Sequence, residues 1–194
     1  MSMAVMMACV CVGVSSCSDD DDNPATSKKV SKLELTLNAQ LSDDLKEVAV
    51  INFHVQHTVG NNSQLVSGGE DLLTQTANTV TATANGVPAT FQLTCSSISK
   101  KNNFTPKEKY EFSIVVKYNI KATFEDGSTT DVSLTRYKEF EDKIAYGPFS
   151  PTDVDEVVKS YLSSLKNDMN QDFNSTISVD MDKNGKVVGT VTQK

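Results

Sequence analysis

Tryptophan is absent from the 194 residues, arginine occurs once, at Arg136, and histidine occurs twice. A sugar-stacking face built on tryptophan is therefore excluded. With 18 Lys+Arg against 25 Asp+Glu and a net charge of -7, the chain lacks the clustered cations that duplex nucleic acid demands, so no nucleic-acid partner is expected. His54 and His57 stand three apart in a strand-like stretch, where they point to opposite faces and cannot grip one metal. No P-loop, nucleophile elbow or dinucleotide glycine fingerprint is present, and no cofactor is expected. No apolar run reaches the 18 residues of a membrane-spanning helix. What remains, 38% hydrophobic and 22% charged residues, is enough for one ordinary folded domain.

The first charged residue is Asp19. Ahead of it, Ala4 to Val14 is an unbroken apolar block covering about 17 Å as a helix, half a bilayer core but the length of a secretory signal's apolar region. The block runs through Val14-Ser15-Ser16 into Cys17, and Ser18-Asp19-Asp20-Asp21-Asp22 follows. Aliphatic, small, small, cysteine resembles the lipobox of bacterial lipoproteins, and the acidic run resembles the export tether of surface lipoproteins of the Bacteroidetes group. Met1-Ser2-Met3 lacks the Lys or Arg that such a signal starts with, as expected if Met1 lies inside a longer signal.

The resemblance covers residues 4–24 and implies cleavage behind Ser16, acylation of Cys17 with chains such as palmitate, and an outer-membrane, cell-surface address. Several acyl chains on Cys17 would anchor the protein without a spanning helix. Asp19–Asp22, repelled by anionic headgroups, would hold the domain off the membrane. The expected organisation is a signal at 1–16, a lipidated cysteine and tether at 17–29, and one β-rich domain at 30–194. Once Cys9 and Cys11 leave with the signal and Cys17 is acylated, Cys95 has no disulfide partner and reads as a small buried hydrophobe.

Within the domain, Leu33, Leu35 and Leu37 alternate with polar residues, as do Ile51, Phe53 and Val55. Val80–Ala84, Asn85-Gly86 and the column Val87, Ala89, Phe91, Leu93, Cys95 read as a hairpin with a type I′ turn. Tyr110 to Phe124 places apolar or aromatic residues at every second position for 15 residues, long enough that a bulge or bend partway is expected. Asp126-Gly127 then turns the chain into a strand at Val132–Tyr137. One amphipathic helix is predicted, with Ser150 as N-cap, Pro151 in the first position and the stripe Val154, Val157, Val158, Tyr161, Leu162, Leu165, Met169. A closing hairpin carries Ile177, Val179 and Met181, a turn at Asp182–Gly185, and Val187, Val188 and Val191. The fold class is α+β: a mainly antiparallel, sandwich-like sheet with one C-terminal helix followed by a β-hairpin. Gly60–Asn78 and Glu141–Pro151 read as the two long loops.

Chemistry-bearing groupings are sparse. Asp180, Asp182 and Asn184 with Gly185 begin like a calcium loop, but Val191 stands where the bidentate Glu belongs, so a plain turn is expected and no metal is assigned. Glu70, Asp71, Asp126 and Asp131 could supply paired carboxylates only if the fold brought two together. Tyr137 and Tyr146 are the tyrosines left for ligand stacking, Tyr110 and Tyr118 falling in the core column. Asn61, Asn103 and Asn174 begin glycosylation sequons that a bacterial lipoprotein would not use. The expectation is a non-catalytic, lipid-anchored envelope protein presenting a binding or interaction module to an extracellular ligand or protein. A fimbrial-type assembly subunit is the alternative, and a small hydrolase stands behind both.

Overall fold

A computed structural model describes residues 28–59, 62–68, 79–136, 139–148, 150 and 152–193. Strand β1 (Val30–Leu41) buries Val30, Leu33, Leu35, Leu37, Ala39 and Leu41 on one face. A short helix, α1 (Asp43–Val48), turns the chain toward the opposite sheet. Ser42 caps it by accepting a 3.3 Å hydrogen bond from the Leu45 N–H, and the same hydroxyl accepts from Ser113 N–H at 3.0 Å, tying the cap to the core. Strand β2 (Ala49–Val59) then pairs with β3 (Asn62–Gly68), while β4 (Thr79–Ala84) returns to pair with β1.

β5 (Ala89–Lys100) lies beside β2, and β6 (Tyr110–Phe124) beside β1. The eight alternate residues of β6 from Tyr110 to Phe124 are all buried, each large one contributing on the order of 2 kcal/mol of hydrophobic stabilisation. The other edge of β6 is shared by β7 (Thr129–Asp131) and β9 (Glu139–Tyr146), with the two-residue β8 (Ser133–Leu134) between them in sequence. Helix α2 (Val154–Asp168) continues into one π turn, Met169–Phe173, and the chain ends in the hairpin β10 (Ser175–Met181) and β11 (Val187–Gln193). One sheet thus runs β4-β1-β6 with β7 and β9 on the far edge, and the other runs β3-β2-β5-β10-β11-β8. Among the described residues every pairing is antiparallel except β11 with β8. The two inner faces enclose a shared core, so the domain is α+β and sandwich-like, with one long helix before the closing hairpin.

α2 fills a gap in this sandwich. β10 pairs with β5 only from Ala89 to Leu93, and the rest of β5 meets the helix instead. Val154, Val158, Tyr161, Leu162 and Leu165 are buried there, followed by Met169 and Phe173 of the π turn, while Val157 is half-buried. Tyr161 stacks on Phe112 at 4.5 Å, and Phe173 meets Phe53 edge-on at 5.3 Å.

Several sequence expectations need correction. Val80–Cys95 is not a hairpin, because β4 takes its hydrogen bonds from β1 in one sheet and β5 from β2 and β10 in the other. The Asn85-Gly86 turn is a crossing between layers, and Pro88, with no N–H, keeps the second ladder from starting before Ala89. β6 carries no bulge partway. Its register with β1 runs unbroken from Ile114 to Thr123 and shifts only at the Val30/Lys32 end of β1. The strand expected at 132–137 is cut short, since the chain leaves β6 at Val132 and joins the opposite sheet as β8. Part of the loop expected at 60–78 is strand β3, and most of 141–151 is β9, whose polar residues gave no clean alternation. The helix begins at Val154 with Asp153 in the cap position. The Ser150 hydroxyl bonds Thr152 Oγ1 at 2.9 Å, and the Ser150 carbonyl accepts from Asp153 N–H, which closes a separate turn ahead of the helix.

Candidate functional site

The path from β7 to β9 creates a groove. Val132 N–H still bonds Ile120 O on β6, at 2.8 Å. The chain then crosses to β11, where Thr135 N–H bonds Gly189 O and Thr135 Oγ1 accepts from Val191 N–H. It returns to β6 as β9. Among the described residues, the rim of the sandwich beside Arg136 and Glu139 is open.

The groove encloses about 480 Å³, bordered by Arg136, Glu139, Phe140, Glu141, Asp172 and Gln193. Because consecutive residues 139, 140 and 141 all line it, the edge of β9 rather than one face forms the wall. Tyr118, Phe140, Phe173 and Val191 floor an inner chamber of about 20 Å³, room for one water-sized group. Burial raises the Tyr118 hydroxyl above its ordinary pKa.

Ser175 opens into this chamber. It heads the inward column that continues with Ile177 and Val179, is 2% exposed, and its Oγ has no hydrogen-bond partner among the described residues. A buried hydroxyl without a partner costs about 1–3 kcal/mol, and the chamber beside Ser175 has room for one water-sized group that could bond it. Around the rim, Arg136 Nη1 donates to Gln193 Oε1 at 3.3 Å and Gln193 Nε2 donates to the Asp172 carbonyl at 3.1 Å. Glu139 pairs with Lys117 at 2.9 Å across exposed surface, a contact of modest energy. The site offers one guanidinium, three carboxylates, an amide and the hydroxyls of Ser175 and Tyr118 over a largely apolar floor. It can hold a polar ligand by hydrogen bonds. No histidine lines it to activate Ser175 as a nucleophile.

Cys17 and Ser18, Asp19, Asp20, Asp21 and Asp22 lie outside the described residues, as do Glu70, Asp71, Asn61 and Tyr137. Asp126 is exposed in the β6–β7 turn, ion-paired with Lys28 at 2.8 Å and accepting from Ser128 N–H. These contacts hold its carboxyl well below the usual range. Asp131 is exposed in β7 opposite Lys121, and neither aspartate lines the groove. Tyr146 packs its ring against Phe112 and Tyr161, at 6.0 Å from each. His54 and His57 alternate on β2, two strands from β10. His57 leans on Phe91 at 6.1 Å, and burial lowers its pKa.

Cys95 is buried and free, and burial pushes its thiol up to about 12. Asp182 Oδ1 accepts from the N–H groups of Asn184 and Lys186, which makes the calcium-like stretch an Asx turn. Asn174 is buried with both ends of its amide bonded, to Cys95 N–H and Asn170 Oδ1. Among the described residues no three His, Cys, Asp or Glu side chains group to hold a metal, and no helix is long and apolar enough to cross a membrane.

Sequence reasoning missed the groove. Arg136, Phe140, Asp172, Ser175 and Gln193 share no motif spacing; the usable signal was a serine heading an otherwise apolar strand column. No family model matches the chain, and neither does any curated protein or solved structure.

Proposed function

We propose that the chain is a non-catalytic, lipid-anchored protein of the outer membrane, exposed at the cell surface, whose β-rich domain binds an extracellular ligand or partner. One observation carries this reading. Cys17 closes an uninterrupted apolar block behind Ser15-Ser16 and stands directly before an acidic run. Acylation of that sulfur is what would keep the protein at the membrane. The groove beside Ser175 supports a binding role, with Arg136, Glu139, Asp172 and Gln193 as the contacts available to a polar ligand.

The test is labelling with a tagged fatty acid and proteolysis of intact cells, in wild type and a Cys17→Ala strain. The expected result is label in the wild type alone, and digestion of the wild-type protein without cell lysis. Absence of label, or protection of the labelled protein in intact cells, removes the anchored or the outward-facing part of the reading respectively. The fimbrial-type assembly role is favoured by one feature, the edge of β9 that no described strand pairs.

A further inference from the structure

β9 hydrogen-bonds to β6 along one edge, and among the described residues no strand pairs with its other edge. In an antiparallel ladder, alternate residues turn their N–H and C=O groups outward, so this edge of about 26 Å is a template for another strand. The inward column of β9 is Phe140, Asp142, Ile144 and Tyr146, and the outward column is Glu139, Glu141, Lys143 and Ala145. Ile144 belongs to the face on which Phe140 is buried, yet it is 38% exposed, the one large hydrophobic so exposed among the described residues. In the outward column, Glu139 has Lys117 opposite it on β6 and pairs with it. Glu141 faces Val115 and Lys143 faces Ser113, and neither charge makes an ion pair among the described residues.

We propose that β9 pairs antiparallel with β9 of a second copy of this chain about a twofold axis at Asp142, joining two sandwiches through one continuous sheet. The sequence of the strand is self-complementary in that register. Glu141 of each copy stands opposite Lys143 of the other, twice, and Phe140 stands opposite Ile144, twice, covering the exposed isoleucine. Glu139 meets the neutral Ala145. One like-charge contact opposes these four pairs, Asp142 against itself, and there Asp142 Oδ2 already accepts a 2.9 Å hydrogen bond from the Tyr161 hydroxyl.

The neighbouring registers are worse. An axis at Glu141 keeps Glu139 opposite Lys143, twice, but sets Glu141 against itself and Phe140 against Asp142, twice. An axis at Lys143 sets Lys143 against itself and Ile144 against Asp142. An axis at Phe140 opposes Glu139 and Glu141 twice, and one at Ile144, though free of like-charge contacts, forms no Glu–Lys pair and sets Asp142 against Tyr146. Such an interface is isologous and, resting on one strand edge, gives a concentration-dependent dimer rather than a permanent one.

The experiment measures molar mass of the full-length chain in detergent by light scattering, from about 1 to about 500 µM, for wild type, Glu141→Lys, Lys143→Glu and the double exchange. Both positions are exposed, and thermal unfolding of each variant checks that the monomer is intact. Each single substitution converts both Glu–Lys pairs into like-charge pairs and is expected to weaken dimerisation about tenfold or more. The double exchange recreates both pairs with signs reversed and is expected to restore wild-type association. A wild type that stays monomeric throughout overturns the proposal, as do single variants that associate like wild type or a double variant weaker than both singles.

Discussion

Asn174 Oδ1 accepts a 2.7 Å hydrogen bond from the backbone N–H of Cys95, a residue 79 positions earlier. The contact sits where the β5–β10 ladder stops, one step past the Leu93–Ser175 pair. An amide side chain therefore does what the next backbone carbonyl of β10 would have done, at the point where the chain leaves the π turn and becomes a strand. The Asn174 amide nitrogen donates in turn to Asn170 Oδ1 at 2.9 Å, so the ladder's end is tied to the last turn of helical structure.

Asn174→Ala leaves the buried Cys95 N–H without a partner and should destabilise the domain by about 1–3 kcal/mol, against about 0.5 kcal/mol for an exposed polar substitution. Urea unfolding measures it, and a midpoint within error of wild type would show that the side-chain bond adds nothing to the ladder.

Gly147 has φ +125°, and a Cβ there would lie 2.6 Å from the Glu108 carbonyl oxygen and 3.1 Å from Lys109 Cα. Both obstacles are backbone and cannot rotate aside. Gly127 also has a positive φ, +80°, but a Cβ there meets nothing within 4 Å. Gly127→Ala should therefore cost about 1 kcal/mol, the conformational part alone, and Gly147→Ala about 3 kcal/mol or more, because Glu108 and Lys109 must move as well. Paired denaturation curves decide it, and equal losses would mean that φ alone sets the cost.

The period-2 columns were legible because one buried face stamps its alternation on a strand: Leu33, Leu35 and Leu37, and the full run from Tyr110 to Phe124, are buried as spaced. The helical stripe from Val154 to Met169 was legible for the same reason at another period. Strand partners were not, since Asn85-Gly86 specifies a turn but says nothing about which sheet receives β5. Helix entry misled because Ser150 and Pro151 carry cap chemistry one turn early. The groove was hidden because residues from β6, β9, the π turn, β10 and β11 meet only after both sheets have formed.

Burial pushes the Cys95 thiol up to about 12, with Lys166 acting weakly in the opposite sense. A folded pKa above the unfolded one means that the folded state holds the proton more tightly. The stabilisation is then complete below about pH 9 and is lost as pH rises from about 9 toward 12, at up to about 1.4 kcal/mol per unit. Tyr118, also raised by burial, adds a loss of the same sign at higher pH, so the difference between wild type and Cys95→Ala isolates the thiol. In chains with Cys9, Cys11 and Cys17 replaced by serine, the two stability curves should run parallel below pH 9 and converge above it. The native Cys95 should react with a thiol reagent only through unfolding. Parallel curves to pH 11, or rapid modification at pH 8, would place Cys95 in contact with solvent.

Ser175→Ala removes an oxygen that is buried and bonded to nothing described, while the inward column of β10 continues through Ile177 and Val179. If the hydroxyl is kept for a guest in the chamber it borders, its removal should leave stability unchanged or raise it by up to about 1 kcal/mol. Arg136→Ala, at the exposed rim, should change stability by less than about 0.5 kcal/mol. Both variants should lose affinity for any ligand that wild type captures in the groove. Thermal unfolding, with and without candidate ligands, separates the two effects: a functional hydroxyl shows as a more stable empty protein that gains less from ligand than wild type does. A loss of about 2 kcal/mol in the empty Ser175→Ala protein would instead mean that the hydroxyl already has a partner in solution, and the groove would then lose its strongest claim to a guest.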